Sequence, residues 1–215
     1  MLYGTNRRWK KDVPRSGIDT DARWGYSHTK KWVFGYKLHL TSTTGDLIVP
    51  LTADVTTANV QDNQMYVSLT LSSSSSSSIF SLPLTCYMVA DPGYDAKNLY
   101  EYSKKVLEIE LVCPPVERYE STSKKRLELV CFYQSNIGQE IYSRRRISIE
   151  PLIEHIKSVF RIDPLSTRGF HKVSAIVLLS VLLYQIMVYY NYKTEIKSKI
   201  NKSYAWDWMM KWNSE

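Results

Sequence analysis

Cysteine is scarce in this 215-residue chain: Cys86, Cys113 and Cys131, with no CxxC pair and no Cys/His spacing. An odd, scattered set argues against both a disulfide framework and a structural zinc site. Cys86 and Cys113 sit in apolar runs and read as small buried hydrophobes suited to a reducing compartment. Also missing is a secretory h-region, since MLYGTNRRWKKD is polar and basic and no leader is expected there. No internal repeat is visible. The first 30 residues have neither the room nor the apolar periodicity for a helix-turn-helix. Acidic residues are in deficit, 21 against 28 Lys+Arg, and the net charge of +7 favours a polyanionic partner, either nucleic acid or an anionic membrane face.

What is present describes a globular chain: 44% apolar, 13% aromatic and 23% charged residues, enough for one substantial domain with an arm at either end. One segment allows two readings. Val173 to Tyr190 carries no charge and is flanked by Lys172 and Lys193. It is close to the ~20 apolar residues that span a bilayer, yet a wholly apolar helix is also what the centre of a soluble domain uses.

Patterning along the chain places the elements. Residues 1–30 form a polar, basic arm or linker. Trp32 to Thr41 and Leu47 to Val55 read as two strands of a hairpin about the Thr43-Thr44-Gly45-Asp46 turn, with Pro50 marking a bulge or an edge. Asp62 to Leu71 suggests a short helix. The serines Ser72 to Ser78 read as a flexible loop insertion, because they bury too little area to offset their ordering entropy. Cys86 to Ala90, Ala96 to Leu107 and Ile109 to Cys113 read as strand, helix and parallel strand. Leu127 to Phe132 is a further strand candidate, Tyr142 to Arg161 a basic helix, and the apolar helix begins near Lys172. A hairpin followed by parallel strand–helix units is the pattern of an RNase H-like α/β domain. That fold opens with three antiparallel strands, so its first, central strand is expected to be missing.

Three features carry chemistry. Asp91 ends a strand, where the ligands of open α/β sheets bind; by itself it is also an ordinary turn Asp before Pro-Gly. Arg146, Glu150 and Lys157 fall within about 40° of one another on a helix, with Glu150 at the margin of the face formed by Ile149, Ile153, Ile156 and Phe160. Pro151 prefers a first helical turn, so the helix is expected to bend or start there. Arg144-Arg145-Arg146 cannot share one helix face, and with Lys157, Arg161 and Arg168 they form a candidate phosphate track. A solvated Arg/Glu pair and a solvated basic face remain the plain alternatives.

Together these residues resemble a known family. ADPGYDA (Ala90 to Ala96) is similar to the second-Asp motif of insertion-sequence DDE transposases. Tyr142, Arg146, Glu150 and Lys157 resemble the Tyr–Arg–Glu–Lys signature of the insertion sequence family 4 group. The Arg-x3-Glu-x6-Lys spacing matches, while three residues rather than the usual two separate Tyr142 from Arg146. FGYKLHL (Phe34 to Leu40) and TTANVQD (Thr56 to Asp62) resemble the strand and helix start of the same domains, with Asp62 as a helix-start residue outside the catalytic acids.

The resemblance implies an RNase H-like DDE domain over residues 31–192 and a basic, Trp-containing tail over 193–215. It implies DNA transposition by phosphodiester cleavage and strand transfer, with two divalent ions (magnesium or manganese) held by three carboxylates. Asp91 and Glu150 would be two of these metal ligands. Tyr142, Arg146 and Lys157 would contact phosphate. The partner would be double-stranded DNA at insertion-sequence ends, within a homo-oligomeric synaptic complex, in the cytoplasm at the nucleoid. It also implies that Val173 to Tyr190 packs under the sheet and not in a membrane. The first acid is not evident: Asp12, Asp19 and Asp21 are the candidates, and the expectation is an N-terminally truncated copy. Two other functions stay open, an inactive remnant that only binds DNA and a basic single-span membrane protein.

Overall fold

The computed structural model describes residues 2–3, 18–27, 31–44, 47–79, 86–116 and 124–194. Among them are six strands, β1 (Leu2–Tyr3), β2 (Arg23–Ser27), β3 (Lys31–Ser42), β4 (Pro50–Thr57), β5 (Tyr87–Val89) and β6 (Glu110–Val112). The helices are α1 (Tyr66–Ile79), α2 (Lys97–Tyr102), α3 (Lys124–Gln134), α4 (Asn136–Phe160) and α5 (Phe170–Lys193). The chain is thus a mixed α/β protein.

β3 organises the first sheet. Its β-rich sequence is buried on both faces, with Val33 and His39 on one and Tyr36 on the other. It pairs antiparallel with β4 from Tyr36↔Thr57 to Thr41↔Thr52, and the register then shifts so that Ser42 faces Pro50. The hairpin and the irregularity at Pro50 are therefore as the sequence indicates. Gly35 faces Tyr3 and Arg23, and Tyr36 faces Leu2 and Thr57. A strand has two edges, so β1 lines one edge of β3 while β2 and β4 share the other. Where the sequence pointed to no strand before the hairpin, the structure has two short ones. Neither has a long apolar run to announce it; β2 is instead admitted by Gly25, where a Cβ would stand 2.1 Å from the Ala58 carbonyl oxygen.

β5 and β6 pair parallel, Tyr87↔Glu110 to Val89↔Val112, through the crossover helix α2. Among the described residues this pair forms its own two-stranded sheet and is not hydrogen-bonded to the first. The single mixed sheet expected from the element order is therefore divided.

The main core lies between the first sheet and the two long helices. Tyr36, Val49 and Val55 meet Leu152 and Ile156 of α4 and Val173, Val177, Val181, Tyr184 and Val188 of α5. Those α5 positions recur at helical spacing and define one stripe. Gln185 Nε2 adds hydrogen bonds to the Pro50 and Leu51 carbonyls at 2.8 and 3.2 Å. The opposite face, including Ile176, Leu179, Leu182 and Ile186, is exposed. α5 is long and apolar enough to cross a membrane, and a third of its apolar window is buried in the protein. A smaller core, Tyr66, Leu99 and Leu111, supports the β5–β6 pair.

Several local expectations change. The serine run continues α1 instead of looping out. Tyr66 and Leu69 are buried and nucleate the helix, Ser72 Oγ donates back to the Ser68 carbonyl at 3.0 Å, and serine costs only about 0.5 kcal/mol against alanine in a helix already begun. Leu127 to Phe132 is helical, within α3; short apolar runs read either way, and here Leu127 and Cys131 face solvent. α4 passes through Pro151 unbroken. Pro151 and Ile147 are both exposed, so the carbonyl freed by the missing N–H is on the solvent side of the helix. Cys113 is buried as expected, whereas Cys86 is exposed beside the half-buried β5.

Candidate active site

Asp91 follows β5 and opens the tight turn Pro92–Tyr94, closed by the Tyr94 and Asp95 N–H groups donating to the Asp91 and Pro92 carbonyls at 2.9 and 3.1 Å. The turn is anchored from behind by Asp95, which is 2% exposed. Its carboxylate accepts the two-pronged guanidinium of Arg126, the Val116 N–H at 2.6 Å and the Tyr100 hydroxyl at 3.1 Å. Burial alone would raise the Asp95 carboxyl, but these donors hold it below the ordinary carboxylate value. In the sequence, the signal for this anchor is the place of Asp95 four residues after Asp91 in the same ADPGYDA motif.

α4 brings the second acid. Ser135 caps its N-terminus by accepting from the Gly138 N–H at 3.1 Å, and Leu152 and Ile156 seat it in the core. Glu150 then stands at the margin of the buried face, half exposed, as its spacing indicated. Asp91 is exposed to the same degree.

One side chain joins the two acids. Arg145 Nη2 pairs with Asp91 Oδ1, and its Nη1 donates to Glu150 Oε1 at 2.9 Å. The three adjacent arginines therefore diverge: Arg144 lies along the helix against Glu140 at 3.3 Å, Arg145 turns to the acids, and Arg146 is exposed. Arg145 stands three positions after Tyr142, with two residues between them, whereas the Arg-x3-Glu-x6-Lys spacing to Glu150 and Lys157 falls on Arg146. Tyr142 is half buried, its ring edge-on to Tyr133 at 5.3 Å. Burial raises its phenol above the ordinary value, with Arg145 and Asp91 both acting on it electrostatically.

Lys157 lies two turns beyond Glu150, about 10 Å along the helix. It is buried, with Nζ 2.9 Å from Glu154 and 3.9 Å from Asp163. The structure thus brings together Asp91 and Glu150 on Arg145, sets Tyr142 within electrostatic reach of Arg145 and Asp91, leaves Arg146 at the surface, and holds Lys157 in its own ion-pair cluster. Asp12 lies outside the described residues. Asp19 and Asp21 are engaged at the N-terminus of α5, where they accept from the Gly169 and Phe170 N–H groups at 3.1 and 2.9 Å.

Negative charge accumulates around Asp91. Burial raises its carboxyl, Arg145 opposes, and Asp62 and Glu150 add to the rise. Burial, Asp62 and Asp91 likewise push the Tyr94 phenol up and keep it protonated. Asp62, in the turn Asp62–Met65 before α1, is held by Lys37 Nζ at 3.1 Å and lies 3.9 Å from His39 Nδ1. Burial keeps the His39 imidazole below its ordinary value, although Asp62 pulls it upward.

Such a site can hold a cation. Asp91 and Glu150 are hard oxygen donors from separate elements that already share one cation, the Arg145 guanidinium. Magnesium is typically bound by one or two carboxylates, with water and substrate phosphate completing its shell. The pair fits that pattern, although among the described residues no three His, Cys, Asp or Glu side chains lie close enough to hold a metal ion by themselves.

The family model described as Transposase DDE domain matches residues 6–186, most of the chain. No curated protein and no solved structure matches it. The two carboxylates that the structure gathers, Asp91 and Glu150, both lie in the matched region, and the chain belongs to the transposase DDE domain family.

Proposed function

We propose that this transposase domain cleaves and joins phosphodiesters at insertion-sequence ends, in the manner of the insertion sequence family 4 group. The observation that carries the reading is the meeting of Asp91 and Glu150 across Arg145, which unites residues 59 positions apart in the sequence. Asp91 and Glu150 would hold magnesium or manganese, which would supply Lewis-acid activation of the attacking oxygen and charge stabilisation of the leaving oxygen. Tyr142 lies within electrostatic reach of Arg145 and Asp91, and its hydroxyl can donate to a phosphate oxygen. Arg146 and Arg161, exposed on and just after α4, offer backbone contacts along double-stranded DNA, and Lys157 is a further candidate once its acidic partners are exchanged for phosphate. A homo-oligomeric synaptic complex in the cytoplasm, at the nucleoid, belongs to the same proposal.

A DNA-binding domain without cleavage is the second reading. It is favoured by the engagement of Asp19 and Asp21 at α5, which commits two of the three candidate first acids to the fold. The packed stripe of α5 supports a place for that helix in the domain core and not in a bilayer.

The test is nicking of DNA bearing the element's ends, with magnesium or manganese, by the full chain and by Asp91→Ala and Glu150→Ala. Metal-dependent nicking lost in both variants supports the cleavage reading. Salt-sensitive DNA binding with no nicking supports the second. Absence of DNA binding at low salt would count against both.

A further inference from the structure

We propose that Arg145 is a built-in cation that competes with divalent metal for the Asp91–Glu150 seat, so that metal loading requires the guanidinium to leave. This rests on the reading of these two acids as metal ligands. The guanidinium engages both carboxylates at once, through Nη2 to Asp91 and through Nη1 to Glu150 at 2.9 Å. It is 20% exposed while each acid is 49% exposed, so the cation sits beneath two carboxylates that open to solvent.

Three charge relations support competition. Hydrogen bonds between ionised partners are stronger than neutral ones, and the guanidinium takes one oxygen of each acid, Asp91 Oδ1 and Glu150 Oε1. A divalent ion brought beside a fixed guanidinium also meets direct repulsion. The surrounding carboxylates, with Asp62 adding to Asp91 and Glu150, leave the seat short of positive charge once the guanidinium departs. The acid pair is therefore held together and partly neutralised by a side chain of α4. Linkage makes the relation reciprocal: metal displaces Arg145, and a released guanidinium beside a loaded site faces the phosphate of incoming DNA.

The experiment measures Mn2+ affinity of the full chain by calorimetry or by the spin-resonance signal of free Mn2+, with folding of each variant followed by circular dichroism. Arg145→Gln should bind Mn2+ about tenfold more tightly than wild type, within the usual span of such couplings. Arg145→Lys, which keeps the charge, should stay near wild type. Arg144→Gln, which removes a neighbouring cation paired with Glu140, should change affinity less than threefold, a difference of the order expected of an exposed charge. Equal or weaker binding by Arg145→Gln, with binding still lost in Asp91→Asn, overturns the competition and leaves the metal reading standing. Mn2+ binding that is unaffected by Asp91→Asn and Glu150→Gln overturns both.

Discussion

The Asp19 carboxylate reaches the residue that precedes a helix 150 positions further along the chain: its Oδ2 accepts from the Gly169 N–H at 3.1 Å. The same oxygen accepts the buried Tyr36 hydroxyl at 2.8 Å. Burial and the adjacent Asp19 push the Tyr36 phenol well above its ordinary value, so it remains a donor. Asp21 accepts from Phe170 one position further along. Two acids just ahead of β2 thus complete the N-terminus of α5 and tie the first sheet to the core helix.

Asp19→Ala should therefore destabilise the protein by about 1–3 kcal/mol, since it leaves the Tyr36 hydroxyl and the Gly169 N–H without their acceptor. Asp21→Ala, more exposed, should cost about 0.5–1 kcal/mol. Urea midpoints measure both. A neutral Asp19→Ala accompanied by lost Mn2+ binding would mean that Asp19 is a metal ligand and not the acceptor that ties Gly169.

Asp95 and Arg126 supply a second stability test. The Asp95 side chain is 1% exposed, and removing one partner of a buried pair costs about 3–5 kcal/mol, the expected loss in Asp95→Asn. Its carboxyl lies lower in the folded chain than in the unfolded one, where it is near the ordinary ~3.9. Its stabilisation is therefore complete above pH ~4 and is lost as pH falls from there through the folded value. Asp95→Asn should flatten the acid limb of the stability profile in that window. An unchanged limb would show that Asp95 is not tied to Arg126 in solution.

The two faces of α5 distinguish a core helix from a span. Val177 is fully buried and Leu179 is 54% exposed. Val177→Asn should lower stability by about 3 kcal/mol, through lost apolar burial and an unpaired amide. Leu179→Asn should stay within about 0.5 kcal/mol. Equal sensitivity at both positions, with the protein retained in carbonate-washed membranes, would favour the bilayer.

Helix continuity through the serines is tested at Ser74, Ser75 and Ser76. A triple change to Ala should raise stability by about 0.5 kcal/mol per site, and a triple change to Gly should lower it, with ellipticity at 222 nm following. Identical melting of all three forms would show that the run carries no helix.

Much of the architecture was legible because it is periodic or local. The β3–β4 hairpin is announced by two β-rich runs about a turn, the β5–α2–β6 crossover by short apolar runs around a helical segment, α4 by spacing, and α5 by a long apolar run without charge. The elements that were misread have weak local signals: β1 and β2 carry no apolar run, the serines differ little in helix energy from their neighbours, and Leu127 to Phe132 suits either state. The acids Asp91 and Glu150 were legible from motif context. The choice of Arg145 from three adjacent arginines was not, since it depends on which way each side chain leaves the helix relative to a turn on another element.

The sequence alone therefore determined the residue types and spacings of the candidate site and the membership of its elements, because these are short-range properties of the chain. Tertiary structure decided which groups meet. Asp91 and Glu150 share a cation, Asp62 adds charge to them, Asp95 is spent on Arg126, Asp19 and Asp21 close a helix, and Lys157 pairs with Glu154 and Asp163. Identical carboxylates acquire these different tasks through burial and through the donors that distant segments bring to them, which no local pattern encodes.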